Sequence, residues 1–191
     1  MQKTAACLFL IAALTACTMP ETRIYSLTAM LDHNPPATLS NAAVSMAVSS
    51  PRYLAQPYIA YRTSLHQLTI ARYAKWDSPP DELVGDAFRD ALASTPFKVL
   101  RTAGSVPDGS HSLQITLKHF ERLDEGEISF AVIACDVSLF SPTGETLYRN
   151  SFVRKRQLAD RSFLDLAKEL SSALEDVTNE VGKTVTKKIA L

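Results

Sequence analysis

Three cysteines and four histidines are the side chains of this 191-residue chain best suited to ligate a metal or to act as nucleophile and base. The histidines stand at 33, 66, 111 and 119, and only His111 and His119 are near one another. On a regular strand an even offset returns both to one face, yet eight residues at about 3.3 Å each put them roughly 26 Å apart, too far to share an ion. Gly104 and Gly109 have the glycine spacing of a phosphate-binding loop. Ser110 and His111 stand where that loop needs a lysine and a Ser or Thr, so nothing would meet the terminal phosphates. There is no G-x-S-x-G elbow, no H-E-x-x-H and no paired C-x-x-C. Asp124, Glu125 and Glu127 around Gly126 read as a charged hairpin turn rather than an acid–base pair. Arg154, Lys155 and Arg156 alternate faces as a solvated strand edge would, with a site for an acidic partner as the other reading. The residues thus offer no catalytic group, no metal site and no cofactor site.

The cysteines carry a different chemistry. Cys7 lies within Ala5–Leu14, an apolar run preceded by a single charge at Lys3, which is the pattern of a signal peptide. A helix of about ten apolar residues spans only half the hydrocarbon core, so this run does not anchor the chain by crossing, and no later segment is long and apolar enough to do so. Leu14, Thr15, Ala16 and Cys17 resemble the bacterial lipobox. That resemblance implies cleavage between Ala16 and Cys17, a diacylglycerol joined to the Cys17 sulfur by a thioether, and acylation of the freed amine. An ordinary cleavage site beside a chance cysteine is the other reading. Two or more acyl chains hold a protein stably where one holds it marginally. Thr18 stands where an Asp would retain the protein in the inner membrane, which points to the periplasmic leaflet of the outer membrane. Cys135 is left alone in an apolar stretch, where a buried thiol behaves as a small hydrophobe.

With 46% apolar and 21% charged residues, six glycines and ten prolines, the chain has the composition of an ordinary globular domain. Twenty basic residues against twenty acidic leave no net charge and no field to draw it to nucleic acid. The organisation expected is a signal peptide over 1–16, a lipidated cysteine and tether over 17–23, and one α+β domain over 24–191. Residues 18–23 reach about 20 Å when fully extended, which holds the domain close to the lipid headgroups.

Ile24–Leu27 reads as a first strand and 31–41 as a loop. Val44, Met46 and Val48 alternate with small residues as a half-buried strand does, and Tyr58–Thr63 with Leu68–Lys75 suggests a hairpin. Ser78 as cap, Pro79 at the first helical position and the acids Asp81 and Glu82 open a helix running to about Ser94. Phe97–Arg101 returns as a strand. Leu113, Ile115 and Leu117 alternate with polar residues. The run Ile128–Leu139 changes its apolar face midway, which predicts a bulge near Val132 or burial on both faces. Ser141–Gly144 suits a type I turn, and Leu147–Val153 pairs back as an edge. A last helix starts at the Ser162 cap and carries an apolar stripe from Phe163 to Val185, interrupted by Gly182. Lys183, Lys187 and Lys188 complement its negative pole, with headgroup binding as the alternative. This order argues for an antiparallel or mixed sheet of about five to seven strands with both helices on one face.

Pro51, Tyr53 and Leu54, the hairpin-like Tyr58–Tyr73, and Trp76 followed by Ser78, Pro79 and an amphipathic helix resemble the auxiliary lipoproteins of ABC-type transporters, the family of paraquat-inducible protein C. Tyr25, Ser26 and Leu27 are similar to that family's early Tyr-x-Leu strand, and Leu113–Phe120 with Ile128–Leu139 resembles its central hairpin. Ala134 and Cys135 stand where many relatives carry a tryptophan. The resemblance implies a non-enzymatic lipoprotein on the outer membrane, working beside MCE-domain proteins and ABC permeases that move phospholipid or related molecules across the envelope. It further implies docking on the periplasmic end of an MCE assembly, with a homo-oligomeric ring as one arrangement. Tyr53, Leu54 and Trp76 are then candidate motif or interface residues, and for Trp76 a core plug is the other reading. The alternative function is a lipid- or ligand-binding chaperone that holds an acyl chain between helices and sheet, near the apolar run Phe130–Leu139.

Overall fold

The computed structural model describes residues 20–28, 42–64, 66–101 and 108–190. The signal segment, Ala16, Cys17, the 31–41 loop and most of the glycine-bounded 104–109 loop lie outside them. The described residues form eight strands and two helices: β1 (Arg23–Tyr25), β2 (Ala43–Ser49), β3 (Tyr58–Ser64), β4 (Gln67–Trp76), α1 (Pro80–Ala93), β5 (Lys98–Arg101), β6 (His111–Glu125), β7 (Ile128–Phe140), β8 (Thr146–Gln157) and α2 (Phe163–Ile189). The class is α+β with a mixed sheet, as expected. The strand count exceeds seven because β1 and β5 both join the sheet, parallel to β4 and β2.

Strand β6 is the spine. Along one edge it pairs antiparallel with β7 over nearly its whole length, and β7 pairs in turn with β8. Its other edge is shared in sequence: β2 runs parallel beside 111–116, and β3 parallel beside Arg122 and Leu123. The β6–β7 turn places Gly126 at φ 63° in the first central position of a two-residue loop, a backbone that a Cβ would strain. At the far end the Gly144 amide donates to the Ser141 carbonyl at 2.9 Å, the closing bond of the expected turn.

The expected bulge exists in the partner strand. Between Leu117↔Cys135 and His119↔Ala134 the register slips by one residue, so β6 carries the extra residue, Lys118, and β7 runs on regularly. The buried face of β7 is therefore continuous through Ser129, Ala131, Ile133, Cys135, Val137 and Leu139. Even-numbered Phe130 and Val132 stay half-buried on the other face. In β6 the core face switches from Leu113, Ile115 and Leu117 to Phe120 and Arg122. The same slip puts His111 and His119 on opposite faces, against the expectation for a regular strand.

Both helices pack on the face that these residues line. α2 buries Leu166, Leu170, Leu174, Val177, Val181 and Val185 at 2% exposure or less, the stripe its spacing predicts. Ser162 caps it, accepting the Asp165 amide at 3.1 Å. Ser78 does not cap α1. That helix begins one residue later, at Pro80, because the first free amide, Asp81 N, donates to the Leu54 carbonyl at 3.3 Å. A proline at each of positions 79 and 80 leaves fewer orphan donors for a side chain to satisfy.

Candidate functional site

The connection from β2 to β3 must cross from one half of the β6 edge to the other, and it does so through Pro51–Pro57. Leu54 N donates to Pro51 O at 2.9 Å, closing a turn that drives the Leu54 side chain to zero exposure. Trp76 N donates to Pro57 O at 3.0 Å, and Ser50 Oγ donates to Asp81 Oδ2 at 2.9 Å. Tyr53, Leu54 and Trp76 thus converge where this connection meets the start of α1. Trp76 is 2% exposed and stands edge-on to Phe120, ring centres 5.6 Å apart. Leu54 and Trp76 face the interior of this chain, while Tyr53 is half-buried and points at a charge.

That charge is Glu121, 3% exposed, on the sheet face away from the helices. The bulge at Lys118 aims it there. Its Oε1 accepts Arg62 Nε at 2.5 Å and lies 3.0 Å from His119 Nδ1, while Oε2 accepts the Tyr53 hydroxyl at 2.9 Å. The same hydroxyl lies 3.2 Å from the Lys118 carbonyl, an acceptor at the bulge. Burial first, and then the Glu121 charge, hold the Tyr53 phenol well above its ordinary range. It therefore stays a neutral donor. The hydrogen bond to Glu121 likewise raises Arg62. Both oxygens of Glu121 carry donors, Arg62 and His119 on Oε1 and Tyr53 on Oε2, so the group locks the Pro51–Pro57 connection to the sheet.

On the helix side, Arg122 makes a second half-hidden ion pair. Its guanidinium meets Asp124 through Nε at 2.9 Å and Nη2 at 3.0 Å, and donates from Nη1 to the Arg161 carbonyl at 2.7 Å. It also lies 4.9 Å from the Tyr61 ring centre and 5.2 Å from that of Phe163. Two acids of the turn are spent in the same way: Asp124 holds Arg122, and Glu125 accepts Lys155 at 2.8 Å. Arg154 pairs with Glu180 at 2.8 Å and Arg156 with Asp176 at 2.6 Å. β8 is an edge strand, as the solvated-edge reading expects, and Arg154 and Arg156 fasten it to α2 while Lys155 reaches β6. Burial pushes the Cys135 thiol up to about 11. Among the described residues no group of three His, Cys, Asp or Glu side chains could hold a metal ion, and no helix is long and apolar enough to cross a membrane.

Glu121, Arg62 and Arg122 escape a sequence reading. The signal present is the adjacent pair Glu121–Arg122 following the apolar alternation Leu113–Leu117, one charge on each face of the strand. No contact in the sequence itself links them to Arg62 or Phe163.

The fold recurs in solved structures. Protein XCC0632 of Xanthomonas campestris superposes with a TM-score of 0.73 at 22% identity, covering 88% of this chain and 98% of that one. An uncharacterized protein superposes at 0.68 with 19% identity, covering 87% and 99%. The hypothetical protein CT253 of Chlamydia trachomatis gives 0.52 at 9% identity, covering 78% and 98%. At such identities the likeness is one of fold. No curated protein matches the chain. Residues 25–182, from the last residue of β1 to the glycine in α2, match the ABC-type transport auxiliary lipoprotein component, and the chain belongs to that family.

Proposed function

We propose that this protein is a non-enzymatic auxiliary component of an envelope lipid-transport system, held to the periplasmic face of the outer membrane by a lipidated Cys17. The observation that carries the reading is the family match, which begins eight residues after a cysteine preceded by Leu14, Thr15 and Ala16. A binding role is supported by the fate of the buried charged residues, Glu121 and Arg122, which are both consumed in structural pairs. In this reading residues 1–16 are removed, 17–23 tether the domain, and the domain docks onto an MCE-domain protein that works with an ABC permease, singly or as a ring of copies. Tyr53 and its neighbours shape the docking module from within, by fixing the connection between the two halves of the sheet. The apolar run Phe130–Leu139, which suggested room for a carried acyl chain, packs its buried face against α2.

The full-length protein, solubilised from its native membrane at native levels, is expected to co-purify with an MCE-domain or permease component. Repeated recovery of the protein without either would overturn the transport assignment. Recovery of a bound phospholipid on a partner-free protein would favour a carrier instead.

A further inference from the structure

Strand β4 leaves the β3 ladder partway along. Tyr58 pairs with Lys75, but Ala60 pairs with Ile70, so residues 71–74 oppose the single residue Ile59. A bulge of this size bends the strand and opens the sheet. β1 comes in beside it, Arg23 against Ala74, and the chain leading into β1 runs along the opening. The result is a groove of about 630 Å³ between the incoming chain, the bulge and the first turn of α2. Tyr25, Tyr61 and Phe163 form apolar walls, and Arg122, already bound to Asp124, is packed between the last two. Arg23 and Arg72 line the groove with exposed side chains, and neither has an ion-pair partner among the described residues. Glu21 is the one acid of the lining.

The position of this groove relative to a bilayer follows from chain length. Pro20, which lines it, is three residues from Cys17, and three residues extend about 10 Å at most. A lipidated Cys17 therefore holds the groove at headgroup depth. Two unpaired guanidinium forks beside aromatic walls, at that depth, are complementary to a phosphate joined to a glycerol: Arg meets phosphate oxygens bidentately, and rings cover the apolar stem.

We propose that this groove seats the phosphodiester headgroup of a phospholipid from the leaflet that carries the anchor, with Arg23 and Arg72 on the phosphate. The proposal rests on the Cys17 anchor for its geometry. It makes the tether a double attachment, one covalent and one by recognition, which fixes the orientation of the domain on the membrane.

The test uses the full-length protein in dodecyl maltoside, a detergent without phosphate, after intact-mass measurement of its acylation. Backbone hydrogen exchange over 20–25 and 71–74 is followed while phosphatidylglycerol is added. Protection is expected to rise at least about tenfold with the lipid, to stay flat with inorganic phosphate, and to be lost in Arg23→Gln/Arg72→Gln, whose unfolding midpoint should match that of the parent. Exchange unchanged by phosphatidylglycerol in an acylated protein would overturn the groove and leave the anchor standing. Equal protection by inorganic phosphate would assign the site to a free anion, and equal protection in the double variant would reduce it to apolar wetting; either result overturns the proposal. An unmodified Cys17 would remove the anchor and the proposal with it.

Discussion

A carboxylate with 3% exposure is stable in a fold only if donors compensate its lost hydration, and Glu121 has three, Arg62, Tyr53 and His119. Removing one partner leaves a stranded charge, whereas removing both need not. Arg62→Met is expected to cost about 2 to 3 kcal/mol, toward the low end for a buried pair because Arg62 is partly solvated, and Arg62→Met/Glu121→Leu is expected to cost less than the single change. Urea unfolding of the three proteins checks this; a single variant within about 0.5 kcal/mol of the parent would show the pair to be ornamental to stability. Cys135 titrates from its buried face of β7. Its pKa of about 11 lies above the ordinary thiol value, so the stabilisation from keeping it neutral is intact below that ordinary value and is lost as pH rises through 11. At pH 9 only about 1% of folded molecules would carry the thiolate, so iodoacetamide is expected to label Cys135 at the rate of unfolding rather than at the rate of a free thiol. Fast labelling of folded protein would place the side chain outside the core. At this scale the sequence was half legible. Cys135 reads as a buried hydrophobe from its apolar neighbours alone, but Glu121 reads as a surface acid, because two of its three partners, Arg62 and Tyr53, come from segments tens of residues away.

Elements were more legible than contacts, for a physical reason. The stripe of α2 and the alternation of β6 are local periodicities set by one buried face, and both emerge where the spacing predicts them. Register is a property of two strands, so the change of apolar face in Ile128–Leu139 could be recognised as an irregularity but not assigned to β6, where the extra Lys118 lies. The missed Ser78 cap has the same origin: a tertiary acceptor, the Leu54 carbonyl, takes the first free amide of α1. Leu170 has zero exposure and sits in the N-terminal half of α2, so Leu170→Ala is expected to cost about 2 to 5 kcal/mol in equilibrium unfolding. A loss under about 0.5 kcal/mol would mean that the stripe serves a partner rather than this core. Gly182 interrupts the stripe without a steric need for glycine, since an added Cβ would lie 4.0 Å from the Ala91 carbonyl oxygen, an ordinary contact. Gly182→Ala is therefore expected to raise stability by up to about 1 kcal/mol through helix propensity. A loss of similar size would indicate that the two helices approach more closely in solution.

For the whole molecule, the arrangement is a two-layer domain whose sheet is split along one edge of β6 and reunited by the Pro51–Pro57 connection. Its helix side is sealed by α1 and α2. Its other side is laced with polar contacts such as Lys118 with Asp136 at 2.5 Å and Lys155 with Glu125. The described chain enters at β1, beside the start of α2. Composition and element order announced the α+β class, and the residues around Tyr53 and Trp76 announced the family. What no single chain displays is the surface a partner covers. The claim on which the functional account depends is the covalent lipid at residue 17, and intact-mass analysis of the protein taken from its native membrane tests it most directly. A chain that starts at Cys17 and carries a diacylglycerol and a further acyl group is expected. A free thiol at that position, or a retained leader, would contradict it.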